Sequence, residues 1–256
     1  MKIIFITQND VFYLGKSFDY LFSNFPDHSK IIGVIISGFS PFGKPKSIIK
    51  RIIRSYNVFG LKFFLRYAFK YIYATIFSRK YLIRNILKKY RINEIRLPNK
   101  NLNSLESINY IKSLEPDLII SISSNQIFKK QLIEIPKLGC LNLHTALLPQ
   151  YKGLMPVFWA LKNNESKIGI TLFFMDEGID TGDILIQKTI LIEKEDTLEK
   201  LIIKTKNIGM NLILEGINML HSGNFQRIKQ IGNGKYYSFP TKKDIKEFLK
   251  NGKRFW

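Results

Sequence analysis

Six short runs of nearly unbroken apolar residues constrain this chain more than anything else in it. They are Lys2–Thr7, Lys30–Ser37, Asp117–Ser121, Leu141–His144, Ile168–Met175 and Ile184–Ile192, and most are rich in β-branched residues. A strand that is apolar on both faces belongs inside a sheet covered on both sides, not at a wetted surface. Between the runs lie segments with helical spacing. Phe12, Leu14, Phe18, Leu21 and Phe22 predict one helix, and further helices are expected at about Leu105–Leu114, Met155–Lys162 and Thr197–His221. Thr197 is a suitable N-cap, with Lys200 and not Glu at the third position beyond it, and Gly223 closes that helix. The alternation predicts βαβ units: an α/β fold with a mainly parallel central sheet flanked by helices. Ligands of such sheets gather at the carboxyl ends of the strands.

The 256 residues, 45% of them hydrophobic, suffice for one large domain with an appendage. We expect a main domain over 1–222 and a short C-terminal extension over 223–256, with a strand-like piece at Lys235–Phe239 and a basic helix at Lys242–Lys250. The single cysteine, Cys140, leaves no internal disulfide and no cysteine cluster. The three histidines at 28, 144 and 221 have no metal-ligand spacing, so no metal is expected. The start of the chain lacks the apolar stretch of a secretory signal, and no run approaches the length of a membrane span. The expected location is the cytoplasm.

The net charge of +20 is unevenly placed: between Asp27 and Glu94 there is no acid, against fifteen Lys and Arg. Within that stretch, residues 47–90 predict two helices broken near Asn57 and Gly60, in a basic aromatic insertion over about 41–92. Phe63, Tyr67, Phe69, Tyr73 and Phe77 alternate there with Lys62, Arg66, Lys70, Arg79 and Lys80. Three readings fit. The insertion packs on the sheet with its basic face in water, or it lies on an anionic membrane surface at the inner face, or it binds nucleic acid. The aromatic load exceeds what phosphate binding needs, which favours an apolar surface of some kind.

The run Leu141-Asn142-Leu143-His144-Thr145-Ala146-Leu147-Leu148-Pro149 carries the chemistry, followed by the acidic loop Met175–Asp183. Asn142 and His144, two apart on a strand, share one face. An Asn amide is a neutral donor for a developing oxyanion, worth roughly 3–4 kcal/mol of barrier. His144 can donate to the same oxygen or move a proton, and Asp180 can balance charge on the ring and organise a water for proton transfer. Taken singly, each is an ordinary turn or structural residue. Together, with no activated nucleophile nearby, they suit direct acyl transfer through a tetrahedral intermediate. Ser121, Ser123 and Ser124 lack the Gly-x-Ser-x-Gly elbow of a serine hydrolase, and Gly232-Asn-Gly234-Lys is no phosphate loop.

Over about Asp117–His221 the chain resembles the 10-formyltetrahydrofolate-dependent formyltransferases. The resemblance rests on Asn142-Leu-His144 with Leu147-Leu-Pro149, on Tyr151-Lys152-Gly153, on Gly169-Ile170-Thr171 and on Asp176-x-Gly-x-Asp-Thr-Gly-Asp-Ile184. It implies a Rossmann-like domain with 10-formyltetrahydrofolate as formyl donor and no metal. Asn142, His144 and Asp180 fall on the family's catalytic residues. Gln126, Ile127 and Phe128 fall on a segment whose backbone binds the pterin ring, and Asp176, Gly178 and Gly182 on the other wall of that pocket. Ala146 departs from a common serine. The stretch Gly153–Leu161 looks more like the members acting on amino sugars, so a nucleotide-linked amino sugar is the leading acceptor. Methionyl-tRNA is the second reading, and a non-catalytic membrane- or RNA-binding module with a relict pocket the third.

Overall fold

The computed structural model describes residues 1–37 and 48–256, and their side chains except those of 48–52. In chain order, β1 (Lys2–Gln8), α1 (Leu14–Ser23) and β2 (Lys30–Ser37) come first, then α2 (Ile48–Phe59) and α3 (Leu61–Ile76). A short 3-10 turn at Arg79–Tyr81 leads to α4 (Ile83–Lys89), α5 (Leu105–Ser113), β3 (Leu118–Ile122), α6 (Lys130–Ile133) and β4 (Cys140–His144). Next are β5 (Lys152–Gly153), α7 (Pro156–Lys162), β6 (Lys167–Phe174), β7 (Ile184–Leu191), α8 (Leu198–Ser222), β8 (Tyr236–Tyr237) and α9 (Lys242–Lys250).

The main sheet runs β2-β1-β3-β4-β6-β7. Its first four strands are mutually parallel, whereas β6 runs antiparallel to β4 and β7 antiparallel to β6. The mainly parallel α/β architecture expected from the apolar runs is therefore present, with an antiparallel edge. The edge arises because only residues 175–183 join β6 to β7, too few for a helical crossover.

The inner strands β1, β3, β4 and β6 are buried on both faces, and the period of two divides their side chains between two cores. Ile3 and Phe5 pack with Phe18 and Leu21 of α1, Ile86 of α4 and Met210, Ile213 and Ile217 of α8. Ile4 and Ile6 face the opposite way, toward Ile111, Ile119, Phe128, Leu132 and Cys140. The smaller β5–β8 sheet is parallel and joins the loop after β4 to the tail.

The helical break in the insertion is at Gly60, as expected, and the carboxyl-terminal part of the segment is built into the core. Ile83, Ile86 and Leu87 of α4 are almost fully buried in the main core. Their helical spacing was obscured by the intervening Arg84, Lys88 and Lys89. The first part of the predicted insertion, 41–47, lies outside the described residues. The tail packs onto the main domain: Ile245, Phe248 and Phe255 share a core with Val157, Phe158 and Leu161 of α7 and Leu201 of α8. Thr241 and Asp244 form a reciprocal capping box that starts α9.

Candidate active site

β4 enters the site from the middle of the sheet. Leu141 and Leu143 are buried on one face, while half-buried Asn142 and 7%-exposed His144 occupy the other. Asn142 pairs with Ser121 and Phe173 across the sheet, and His144 with Thr171. The loop that follows is pinned from β6. Thr171 Oγ1 donates to Ala146 O (2.7 Å) and accepts from Gln187 Nε2 (2.8 Å). A Cβ at Gly169 would lie 2.4 Å from Leu147 backbone atoms, so a glycine is required for the loop to cross β6 there. The Gly169-Ile170-Thr171 motif thus seats the loop after His144.

The β6–β7 loop doubles back. It leaves the sheet where Met175 N donates to Cys140 O, yet its Asp180 reaches His144, four residues along β4 and so about 13 Å away at roughly 3.3 Å per residue. Asp180 Oδ2 accepts the Gly153 N–H at 2.7 Å and lies 3.8 Å from His144 Nε2. His144 Nε2 donates to Tyr151 O at 2.9 Å. A carbonyl can only accept, so Nε2 carries the proton. The other ring nitrogen, Nδ1, and the Asn142 amide make no hydrogen bond with a described residue, which leaves both for a ligand. Tyr151, Met155 and Asp180 all hold left-handed backbone angles (φ 59°, 54° and 53°). Such angles cost of order 1–3 kcal/mol each and collect at functional sites.

The predicted pocket walls are built as follows. Asp176 Oδ1 accepts from Gly178 N (3.0 Å) and Thr181 Oγ1 (2.6 Å), which shapes the acidic loop. Gly182 O accepts from Gln230 Nε2 at 2.8 Å, and so does Asp180 O at 3.0 Å. On the other wall, the Gln126 side chain accepts from Leu102 N and donates to Lys100 O. Phe128 is a core residue at 1% exposure, while the Ile127 side chain is open. Met175 packs against the cluster holding Phe128, so the two walls meet. Sequence reasoning missed Gln230, because a lone glutamine in a tail carries no motif. Gly153 is legible as part of a motif, but its hydrogen bond to Asp180 is not.

At the carboxyl ends of β1 and β3, where the strand order reverses, a second polar group has formed. Asp10 Oδ1 accepts from the Phe12 and Tyr13 N–H groups at the start of α1 (2.7 and 2.8 Å). Half-buried Lys206 of α8 donates to Ser123 Oγ at 2.9 Å. Loss of hydration pulls the Lys206 pKa below the ordinary lysine value, and the charge of Asp10 opposes that pull. The insertion docks beside this group: the Tyr13 and Tyr67 hydroxyls share a hydrogen bond (2.9 Å), and Lys70 pairs with Glu199. Among the described residues no cluster of His, Cys, Asp or Glu could hold a metal.

A family model described as Formyl transferase matches residues 73–217, more than half of the chain. The chain belongs to the formyl transferase family. The methionyl-tRNA formyltransferase of Clostridioides difficile (strain 630) is 40% identical to this chain over 134 residues, 52% of this chain and 43% of that protein. That of Thermodesulfovibrio yellowstonii is 42% identical over 147 residues, 57% of this chain and 48% of that protein. The chain thus matches rather less than half the length of these curated relatives. Among solved structures, a sugar N-formyltransferase from Shewanella sp FDAARGOS_354 shares the fold with a TM-score of 0.62. It is 18% identical, and the match covers 98% of this formyl transferase and 87% of that chain. A phosphoribosylglycinamide formyltransferase from Anaplasma phagocytophilum gives 0.61 at 16% identity, over 93% and 99% of the two chains.

Proposed function

We propose that this formyl transferase moves a formyl group from 10-formyltetrahydrofolate to a primary amine, and that the amine belongs to a nucleotide-linked amino sugar. One observation carries the reading: Asp180, on a loop between antiparallel strands, is brought to 3.8 Å from His144 at the end of a parallel strand, with Asn142 on the same strand face. The residues at 126–128 and 175–182 suit a flat heterocycle with donors and acceptors on its edge. The backbone N–H groups of Ile127, Phe128, Glu177 and Ile179 make no hydrogen bond to a described residue, so they are available to such an edge.

The bound folate supplies an activated formyl carbon. The chain's own groups do the rest. The Asn142 amide donates to the formyl oxygen as it gains charge, a contribution of roughly 3–4 kcal/mol. His144, held by the Tyr151 carbonyl through Nε2–H, donates to the same oxygen from Nδ1 in its doubly protonated form. Asp180, fixed by Gly153, balances charge on the ring and takes up the proton of the attacking amine through a water, and that proton would pass to the donor's leaving nitrogen as its bond to the formyl carbon breaks.

The sugar acceptor draws support from the Gly153–Leu161 stretch and from fold neighbours named as sugar formyltransferases, whose matches cover 98% and 93% of this chain. A second reading, methionyl-tRNA, draws on the 40–42% identity to proteins of that name. The test is incubation with 10-formyltetrahydrofolate and a panel of amino-sugar nucleotides beside charged initiator tRNA, following release of tetrahydrofolate. Turnover with a sugar nucleotide, reduced by about a hundredfold or more in both His144→Ala and Asp180→Ala, supports the proposal. Turnover with tRNA alone selects the second reading, and near-normal turnover in both variants overturns the catalytic assignment.

A further inference from the structure

Helix α3 is apolar on two faces, and the described residues pack against only one of them. Phe63, Tyr67 and Ala74 point inward, where Phe63 packs on Phe255 and Tyr67 meets Tyr13. The outward arc carries Leu61, Leu65, Phe69, Ile72 and Ile76, each between 51% and 71% exposed. At about 100° per residue these five fall within an arc of roughly 80°. The packed-insertion reading expected a basic face in water, and the water-facing stripe is instead aliphatic and aromatic. Lys62 and Arg66 are exposed along its border, and Arg79 and Lys80 follow at its carboxyl end.

We infer that this stripe seats the protein on an anionic bilayer surface. An exposed apolar patch of this size marks an interaction site. The charge around it selects the partner, because no acid occurs anywhere between Asp27 and Glu94. A basic-rimmed apolar helix face suits the headgroup layer of negatively charged lipid: the side chains enter the acyl boundary while the cations meet phosphates. A second copy of the chain fits less well, since a two-fold contact would bring this basic-rimmed face against the same basic rim of its copy. Nucleic acid has no use for five aliphatic and aromatic side chains in a row without interleaved cations. None of the described helices is long and apolar enough to cross a membrane, so the helix lies on the surface. The inference does not depend on the formyl-transfer reading.

The test is co-sedimentation of the full chain with phosphatidylcholine vesicles and with phosphatidylcholine–phosphatidylglycerol vesicles, alongside the Leu65→Glu/Phe69→Glu double variant. Binding to the anionic vesicles is expected, at least about tenfold stronger than to neutral ones and weakened by raising salt from about 0.05 to 0.5 M. The double variant is expected to lose at least about tenfold of that binding while keeping its melting temperature, because both side chains are exposed. Absence of vesicle binding overturns the inference, as does binding that ignores lipid charge. So does a stable dimer, or an RNA complex, that the same double variant abolishes.

Discussion

A single oxygen of Asp180 accepts the Gly153 N–H at 2.7 Å and stands 3.8 Å from His144 Nε2. The carboxylate is therefore positioned by main chain and not by the imidazole. That separates its two roles, since the hydrogen bond to Gly153 needs only an oxygen, whereas balancing the ring needs a charge.

Asp180→Asn keeps an acceptor for Gly153 and removes the charge. It is expected to lower formyl transfer by about a hundredfold or more with little change in melting temperature. Asp180→Ala also strands the Gly153 N–H, at a further cost of roughly 1–3 kcal/mol in stability. Urea denaturation of the two variants beside their turnover separates the roles. Equal turnover in wild type and Asp180→Asn would remove the charge from the mechanism.

Gly153 holds φ at 95°, and a Cβ there would meet Tyr237 O at 2.4 Å. Gly153→Ala is expected to destabilise the protein by roughly 1–3 kcal/mol and to cost activity as well, because the same residue anchors Asp180. Denaturation midpoints measure the first effect and turnover the second.

The Tyr13–Tyr67 hydroxyl pair fastens the insertion to α1. Burial holds Tyr13 far above the usual phenol range and pushes Tyr67 up to about 12, so both stay neutral at physiological pH. Tyr67→Phe leaves the Tyr13 hydroxyl buried without its partner, at an expected roughly 1–3 kcal/mol. The double Tyr13→Phe/Tyr67→Phe variant should recover much of that loss. A double-mutant cycle of thermal or urea melts checks it, and additive losses would contradict the pairing.

Lys206 gives an alkaline signature. Its folded pKa lies below the unfolded lysine value, so across the interval between them the unfolded chain binds more protons than the folded one. Stability therefore rises with pH through that interval. Lys206→Met is expected to flatten the rise. Unfolding free energies at several pH values between neutrality and about 10 compare the two slopes, and parallel slopes would refute it.

Much of this arrangement could be read from residue order. The β-branched runs specified the sheet because period and burial both show in composition. The Asn142-Leu-His144 spacing declared a shared face. The direction of β6 was less legible, since an apolar run looks the same in either orientation and only the shortness of the 175–183 loop betrays a hairpin. The outward stripe of α3 was hidden for a related reason: apolar residues at helical spacing imply a face, and a helix apolar on two faces does not say which one is packed. Gln230 left no trace at all, because its work is two hydrogen bonds to main-chain carbonyls that any chain possesses.

Gln230 also bears on how the protein could be dissected. The family match ends at 217, yet the amide that clamps Asp180 O and Gly182 O, and the strand that flanks Gly153, both lie beyond it. A chimera that transplanted only the matched region onto another scaffold would carry the proposed catalytic side chains without their splint, so residues 218–256 have to travel with them.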